Sequence, residues 1–386
     1  MKIQITNKMK KILLSLLLLC FAAAAAGAQE LPPRAEILEV TRRVNDYLML
    51  KKHPDPTAVM PYYSRKKVYE SNIWTRAVYY EGLMALYAIC PDNRYYDYAV
   101  RWADFHKWGM RRDDTTTRNA DNYCCSQTYI DLYRLEPRPE RLRKTIALCD
   151  MLVNTPQVED WTWIDAIQMG MPVLVKLGTL KGDARYYEKA YAMYAWSRNT
   201  LAGGLYNEKE GLWWRDKDFV PPYKEPNGEN CYWSRGNGWV VAALVRVLQE
   251  LPADATHREE YIADLQAMCK ALKVCQREDG FWNVSLHDAT NFGGKELSGT
   301  ALFVYGMAWG INNGVLDRAE YLPVVTKAWN AMVKEAVHPN GFLGYVQGTG
   351  KEPKDGQPVA YDSKPDFEDY GTGCFLLAGT EVYKIN

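Results

Sequence analysis

Two aspartates stand where a carboxylate can do more than cap a helix: Asp121 in Asp121-Asn122-Tyr123, and Asp165 in Trp161-Thr162-Trp163-Ile164-Asp165. Asp121 precedes a helical pattern, so it reads equally as an N-cap for orphan backbone N–H groups and as a catalytic group. Asp165 is different. The residues before it already look helical, which puts its carboxylate inside an apolar helix, and burying a charge without use is costly. Burial raises a carboxyl pKa, as a general acid working near neutral pH requires. Arg235 lies in Trp233-Ser234-Arg235-Gly236-Asn237-Gly238-Trp239. Two glycines in the first turn of a helix cost stability unless a close approach or a ligand requires them. An arginine there can fork onto a substrate carboxylate, or pair with an acid of a neighbouring helix. Trp74, Trp163, Trp233 and Trp239 accompany these groups, and Arg215 adds a cation in Trp213-Trp214-Arg215-Asp216. Aromatic faces that stack on sugar rings, carboxylates for acid–base work and a cation for an anionic group describe a carbohydrate pocket. The five histidines are scattered without ligand spacing and there is no C-x-x-C pair, so no metal site is expected.

These residues need elements to hold them. Past residue 33, helical periodicity recurs in two alternating classes, separated by Gly, Pro, Asn and Asp. One class is apolar all round: about 73–89, 121–134, 161–177, 233–249, 296–312 and 367–383. The other is amphipathic: about 35–50, 94–108, 137–153, 183–199, 257–275 and 317–336. A helix apolar on every side must be surrounded by protein, whereas an amphipathic one keeps a wet face. Six of each, alternating, predict an all-α fold, an (α/α)6 toroid of six helical hairpins with the apolar helices inside. Short β-hairpins are expected at 204–219 and 341–347, where glycines and aromatics alternate. The starts of the inner helices then converge on one mouth. A second acid across that mouth would come from Glu296, Glu368 or Asp369.

Composition narrows the partners. Among 386 residues, Lys+Arg and Asp+Glu are each 47, so the net charge is zero and a general nucleic-acid binder is excluded. The 13 Trp and 27 Tyr against 9 Phe favour aromatics with a polar tip. Lys2, Lys8, Lys10 and Lys11, an apolar run from Ile12 and the Ala26-Gly27-Ala28 end predict a signal peptide over 1–28. Residues 29–386 are then one catalytic domain, exported to the periplasm, with no membrane association after cleavage. The eight cysteines beyond Cys20 are too sparse for a disulfide framework and read as small core residues.

Trp163-Ile164-Asp165 with Gly170 and Pro172, the Trp233–Trp239 segment, Asp279-Gly280-Phe281-Trp282 and Ser298-Gly299-Thr300-Ala301 resemble the unsaturated glucuronyl and rhamnogalacturonyl hydrolases, glycoside hydrolase families 88 and 105. The resemblance runs from about residue 73 to residue 383. It implies an (α/α)6 barrel without a cofactor. The implied substrate is an oligosaccharide whose non-reducing end carries the 4,5-unsaturated uronic acid left by a polysaccharide lyase. It also implies Asp165 as the acid that protonates C4 before water adds at C5, Asp121 as the second aspartate, Trp163, Trp233 and Trp239 as stacking groups, and Arg235 as the carboxylate partner. Two departures stand out. Many rhamnogalacturonyl members carry an H-x-W-D-like stretch where this chain has Trp213-Trp214-Arg215-Asp216, and a histidine expected within 154–160 is missing. Both fall where the leaving sugar binds, so rhamnose as that sugar stays open. The residues also allow a conventional glycosidase acting on a saturated uronide, or a non-catalytic glycan-binding ring.

Overall fold

A computed structural model describes residues 30–62, 66–364 and 369–385. The leader expected over 1–28, Cys20 and the acid Glu368 lie outside the described residues.

Helices of two kinds alternate along the chain. The outer ones are α1 (Arg34–Asp46), α3 (Asn93–Phe105), α6 (Pro139–Val153), α8 (Arg185–Asn199), α10 (Arg258–Val274) and α12 (Arg318–Glu335). The inner ones are α2 (Trp74–Ile89), the pair α4 (Ala120–Tyr123) and α5 (Ser126–Leu135), α7 (Asp165–Lys181), α9 (Ser234–Leu248), α11 (Leu297–Asn312) and α13 (Asp369–Ile385). Burial follows the pattern in the residues. Outer α3 buries Tyr95, Tyr98, Ala99, Trp102 and Ala103, the spacing of one helical face. Inner α9 is buried at every position. The inner helices pack in a closed circuit: α2 on α13, α13 on α11, α11 on α9, α9 on α7, α7 on α4 and α5, and α5 on α2. This is the (α/α)6 toroid that the alternation predicts.

Close approaches account for the inner glycines. A Cβ on Gly373 would lie 2.3 Å from the Val78 carbonyl oxygen, so α2 and α13 meet backbone to backbone. In α9, a Cβ on Gly236 would lie 2.9 Å from the Trp233 ring, and one on Gly238 would lie 2.9 Å from Leu302. The two glycines of that segment therefore serve helix packing, not access for a ligand.

Three local features differ from the sequence reading. The third inner helix begins at Asp165, not at Trp161. Residues 161–163 are extended, held by a bridge between Trp163 and Asp216 and followed by an Ile164 N–H that donates to the Arg215 carbonyl at 3.0 Å. The second inner helix breaks at Cys124-Cys125. Of the two expected hairpins, β3 (Tyr206–Asn207) with β4 (Leu212–Trp213) forms, while 341–347 keeps a single bridge, Val337 to Leu343. An unforeseen hairpin, β1 (Met60–Tyr62) with β2 (Lys67–Tyr69), leads into α2.

Candidate active site

The starts of α2, α4 and α7 open onto one cavity of about 760 Å³, together with the loops 111–112 and 349–355 and the hairpin β1–β2. Asp121, Asp165, Trp74, Trp163 and Arg215 all line it.

The cap of α4 is Asn119, whose side-chain oxygen accepts from the Asp121 N–H at 2.9 Å. Asp121 is thus released from capping, and among the described residues its carboxylate has no hydrogen-bond or ion-pair partner. Burial pushes its pKa up to about 7; the Asp165 charge adds to this, and Arg215 and Arg111 pull the other way. Asp165 opens α7 and is 7% exposed. Arg215 Nε donates to its Oδ2 at 3.3 Å. Burial raises the Asp165 carboxyl above its ordinary value against the opposing charges of Arg215 and Arg235. Arg215 is itself braced, since its Nη1 donates to Asp216 Oδ2 at 2.6 Å. Its Nη2 has no protein partner among the described residues. The cavity therefore holds two carboxyl groups that resist ionisation, and a cation with donor capacity to spare.

The aromatic residues divide. Trp74 and Trp163 are half-buried and reach the cavity. Trp239 is fully buried behind Trp74, edge-on at 6.0 Å between ring centroids. Trp233 and Arg235, each 1% exposed, lie beneath the wall. Arg235 sits 4.5 Å over the Trp233 ring and 5.0 Å over the Tyr370 ring. It donates from Nη1 to the Gln347 carbonyl and from Nη2 to the Gly348 carbonyl, both at 2.9 Å. Arg235 is expected to fork onto a substrate carboxylate; here its two terminal nitrogens hold backbone carbonyls, and its Nε has no partner among the described residues. Trp233 and Trp239, expected as stacking groups, are likewise covered by other side chains.

The other acids near the mouth are in structural use. Glu296 caps α11, accepting from the N–H groups of Ser298 at 2.9 Å and Gly299 at 2.6 Å. Asp369 receives Arg76 Nε at 2.6 Å and His53 Nε2 at 2.9 Å. Burial opposes its ionisation, but Arg76 and Lys52 outweigh that and hold its carboxyl well below the usual range. Asp369 is therefore not poised to exchange a proton near neutral pH.

Sequence reasoning missed part of the rim. Arg111 lies 4.8 Å over the Tyr69 ring and donates from Nη1 to Asn122 Oδ1 at 3.3 Å. Arg112 adopts a left-handed backbone (φ 61°), and its N–H donates to Glu70 Oε2 at 2.8 Å. Thr349, Lys351 and Glu352 come from the loop before α13. The signal available was positional: Arg111-Arg112 and Gly348-Thr349-Gly350 both sit in segments that lead into inner helices.

Residues 40–386 match Glycosyl Hydrolase Family 88. The chain belongs to this family. It is similar to an unsaturated 3S-rhamnoglycuronyl hydrolase of Formosa agariphila, 31% identical over 81% of this chain and 84% of that protein. Among solved structures, a glycosyl hydrolase family 88 protein from Bacteroides vulgatus is 33% identical, with a TM-score of 0.82 over 92% of this chain and all of that one. A solved polysaccharide lyase is 34% identical, also with a TM-score of 0.82, over 91% of this chain and 98% of that one. This family 88 member is a glycosidase, so the carboxyl pair in its cavity is read in terms of glycoside chemistry.

Proposed function

We propose that this glycosidase removes a 4,5-unsaturated uronic acid from the non-reducing end of lyase-generated oligosaccharides by hydrating the C4=C5 bond. One observation carries the reading: two carboxyl groups with raised pKa values share a cavity with an arginine that touches one of them. The double bond is an enol ether conjugated to a carboxylate. A carboxylic acid can protonate C4, which builds oxocarbenium character at C5. Water adds at C5, the hemiketal opens, and the leaving sugar departs without attack at the anomeric carbon. The usual rule linking carboxylate separation to retention or inversion does not govern such a reaction.

In this reading Asp165 delivers the proton and then takes one from the incoming water. Asp121 orients water or the sugar hydroxyls, and its charge is coupled to that of Asp165. Arg215 receives the uronate carboxylate. It lines the cavity, keeps Nη2 without a protein partner among the described residues and already lies against Asp165. An anion that engages Arg215 draws positive charge away from Asp165 and so favours the protonated acid that the first step needs. Trp74 and Trp163 flank the ring. The basic N-terminus and apolar run belong to the same reading: the enzyme is exported to the periplasm, which fractionation of cells expressing the full chain would test.

A sulfur-linked substrate analogue separates this chemistry from direct displacement. Protonation at C4 places no demand on the leaving atom, so the S-linked compound should turn over within about tenfold of its O-linked counterpart. An enzyme that protonates the glycosidic atom would lose the S-linked compound altogether.

A further inference from the structure

The Trp233-Ser234-Arg235 start of α9 does not reach the cavity, yet its polar groups converge on one side chain. Gln347 is fully buried. Its Oε1 accepts from Trp233 Nε1 at 2.8 Å. Its backbone carbonyl accepts from Arg235 and from the Tyr370 hydroxyl. Its Nε2 shares two N–H bonds among the carbonyls of Glu352 at 3.2 Å, Pro353 at 3.3 Å and Asp355 at 2.7 Å. An indole donor on one side and three carbonyls on the other allow only one orientation of the amide. The segment tied down in this way, 348–355, supplies Thr349, Gly350, Lys351, Glu352 and Asp355 to the cavity wall. Both Asp165 and Lys351 line the cavity, but Asp165 is buried and Lys351 exposed, which sets Asp165 on the floor side and Lys351 on the rim side. With a terminal sugar at the floor, the rim meets the sugar that leaves.

We propose that Gln347 is a positioning residue for the leaving-sugar side of the cavity, coupling the buried Trp233–Arg235 pair to the loop 348–355. This rests on the exo-hydrolase reading above. Gln347 touches no substrate; it fixes where the loop's rim groups stand. The role requires an amide. A carboxylate keeps the acceptor for Trp233 but turns an oxygen toward three carbonyls, which repels them and removes their donor.

The test uses the mature chain and its Gln347→Glu and Gln347→Met variants on lyase-generated di- and tetrasaccharides. Both variants should raise KM about tenfold with kcat within about threefold of wild type, because loop order affects binding of the leaving sugar and leaves the proton transfer intact. Hydrogen exchange should accelerate across 348–356 and stay slow in α7. The double variant Thr349→Ala/Lys351→Ala alters only cavity-wall side chains of the loop, so it needs no change in the core; its KM should rise as well. An unchanged KM in the double variant overturns the proposal, and so does a Gln347→Glu variant with a faster-exchanging loop but wild-type KM. Failure of the underlying reaction would show in the wild-type chain, as no turnover of any unsaturated substrate, whereas failure of the loop role shows only in the variants.

Discussion

The two ends of the helical ring carry similar residues, and differ in one pair of carboxylates. Where the inner helices finish, acids meet bases. Glu81 is reached by Gln168 Nε2 at 2.8 Å and by Arg246 Nε at 3.4 Å. Asp131 pairs with Lys176, and Glu250 takes both terminal nitrogens of Arg134 at 2.7 Å. Where the inner helices begin, Glu296 and Asp369 are matched too, but Asp121 has no partner among the described residues and Asp165 has one, at 3.3 Å. A matched buried acid ties helices together, and removing one partner is expensive. Burial raises the carboxyl pKa values of Asp121, Asp165 and also Glu81, but only Asp121 and Asp165 line the cavity at the mouth, where a held proton can serve acid–base catalysis. The opposite end also encloses a cavity, of about 520 Å³, so concavity alone does not separate the two ends. What the mouth has in addition is Asp121, a buried carboxylate with no partner among the described residues, beside Asp165 and Arg215.

The comparison can be broken at four places, taken from the largest expected effect on turnover to the smallest. Asp165→Asn should cost about 10³-fold in kcat while substrate affinity stays within a few fold, because the isostere keeps the cavity and loses the proton. Single-turnover kinetics with calorimetric binding would check this; a loss confined to affinity would contradict the assigned role.

Arg215→Gln should lower kcat/KM about 10²-fold, chiefly through KM, since it removes a charge-assisted contact to the uronate. A methyl-esterified uronide should lose far less. Removing the cation from Asp165 should also move the alkaline limb of the pH profile upward.

Asp121→Asn should move that limb downward, because the Asp121 charge and the Asp165 proton are coupled. It carries a stability consequence with a definite sign. The folded pKa of Asp121 is about 7, above the 3.8 of a free aspartate. The fold therefore holds a proton that the unfolded chain has released, and stability falls as pH rises from 3.8 toward 7. The asparagine variant avoids that loss, so its unfolding temperature should exceed wild type at pH 8 and match it near pH 3.

Glu81→Ala, at the paired end, should leave turnover of the folded enzyme unchanged. It should cost about 3 kcal/mol of stability by stranding Arg246 in the core. Denaturant unfolding beside steady-state kinetics would separate the two effects, and a selective loss of kcat would erase the contrast between the ends.

Much of the scaffold was legible, because burial on all sides and burial on one side leave different residue patterns over fifteen-residue windows. The acids were legible by type and position. Their surroundings were less so. Trp161 to Ile164 looks helical by composition, but the pairing of Trp163 with Asp216, 53 positions further along the chain, holds the strand-like approach that exposes Asp165 at a helix start. Asp121 looks like a cap until Asn119, two residues earlier, takes that duty. Arg235 looks like a ligand because its segment is conspicuous; the carbonyls that occupy it belong to residues 347 and 348, which no local pattern links to it. Gln347 itself left no trace, since one glutamine in a glycine-rich loop has no periodicity to read.

The most direct test is optical. Unsaturated disaccharides generated by lyases from several uronate-containing polymers would be mixed with the mature chain and, in parallel, with Asp165→Asn, while the ultraviolet absorbance of the conjugated double bond is followed. The account predicts that the wild-type chain bleaches the absorbance and that the variant, still binding, does not. Bleaching by both proteins would contradict the role of Asp165. Absorbance that holds steady with every disaccharide, or that rises when the enzyme meets an intact polymer, would contradict hydration of the double bond as its reaction.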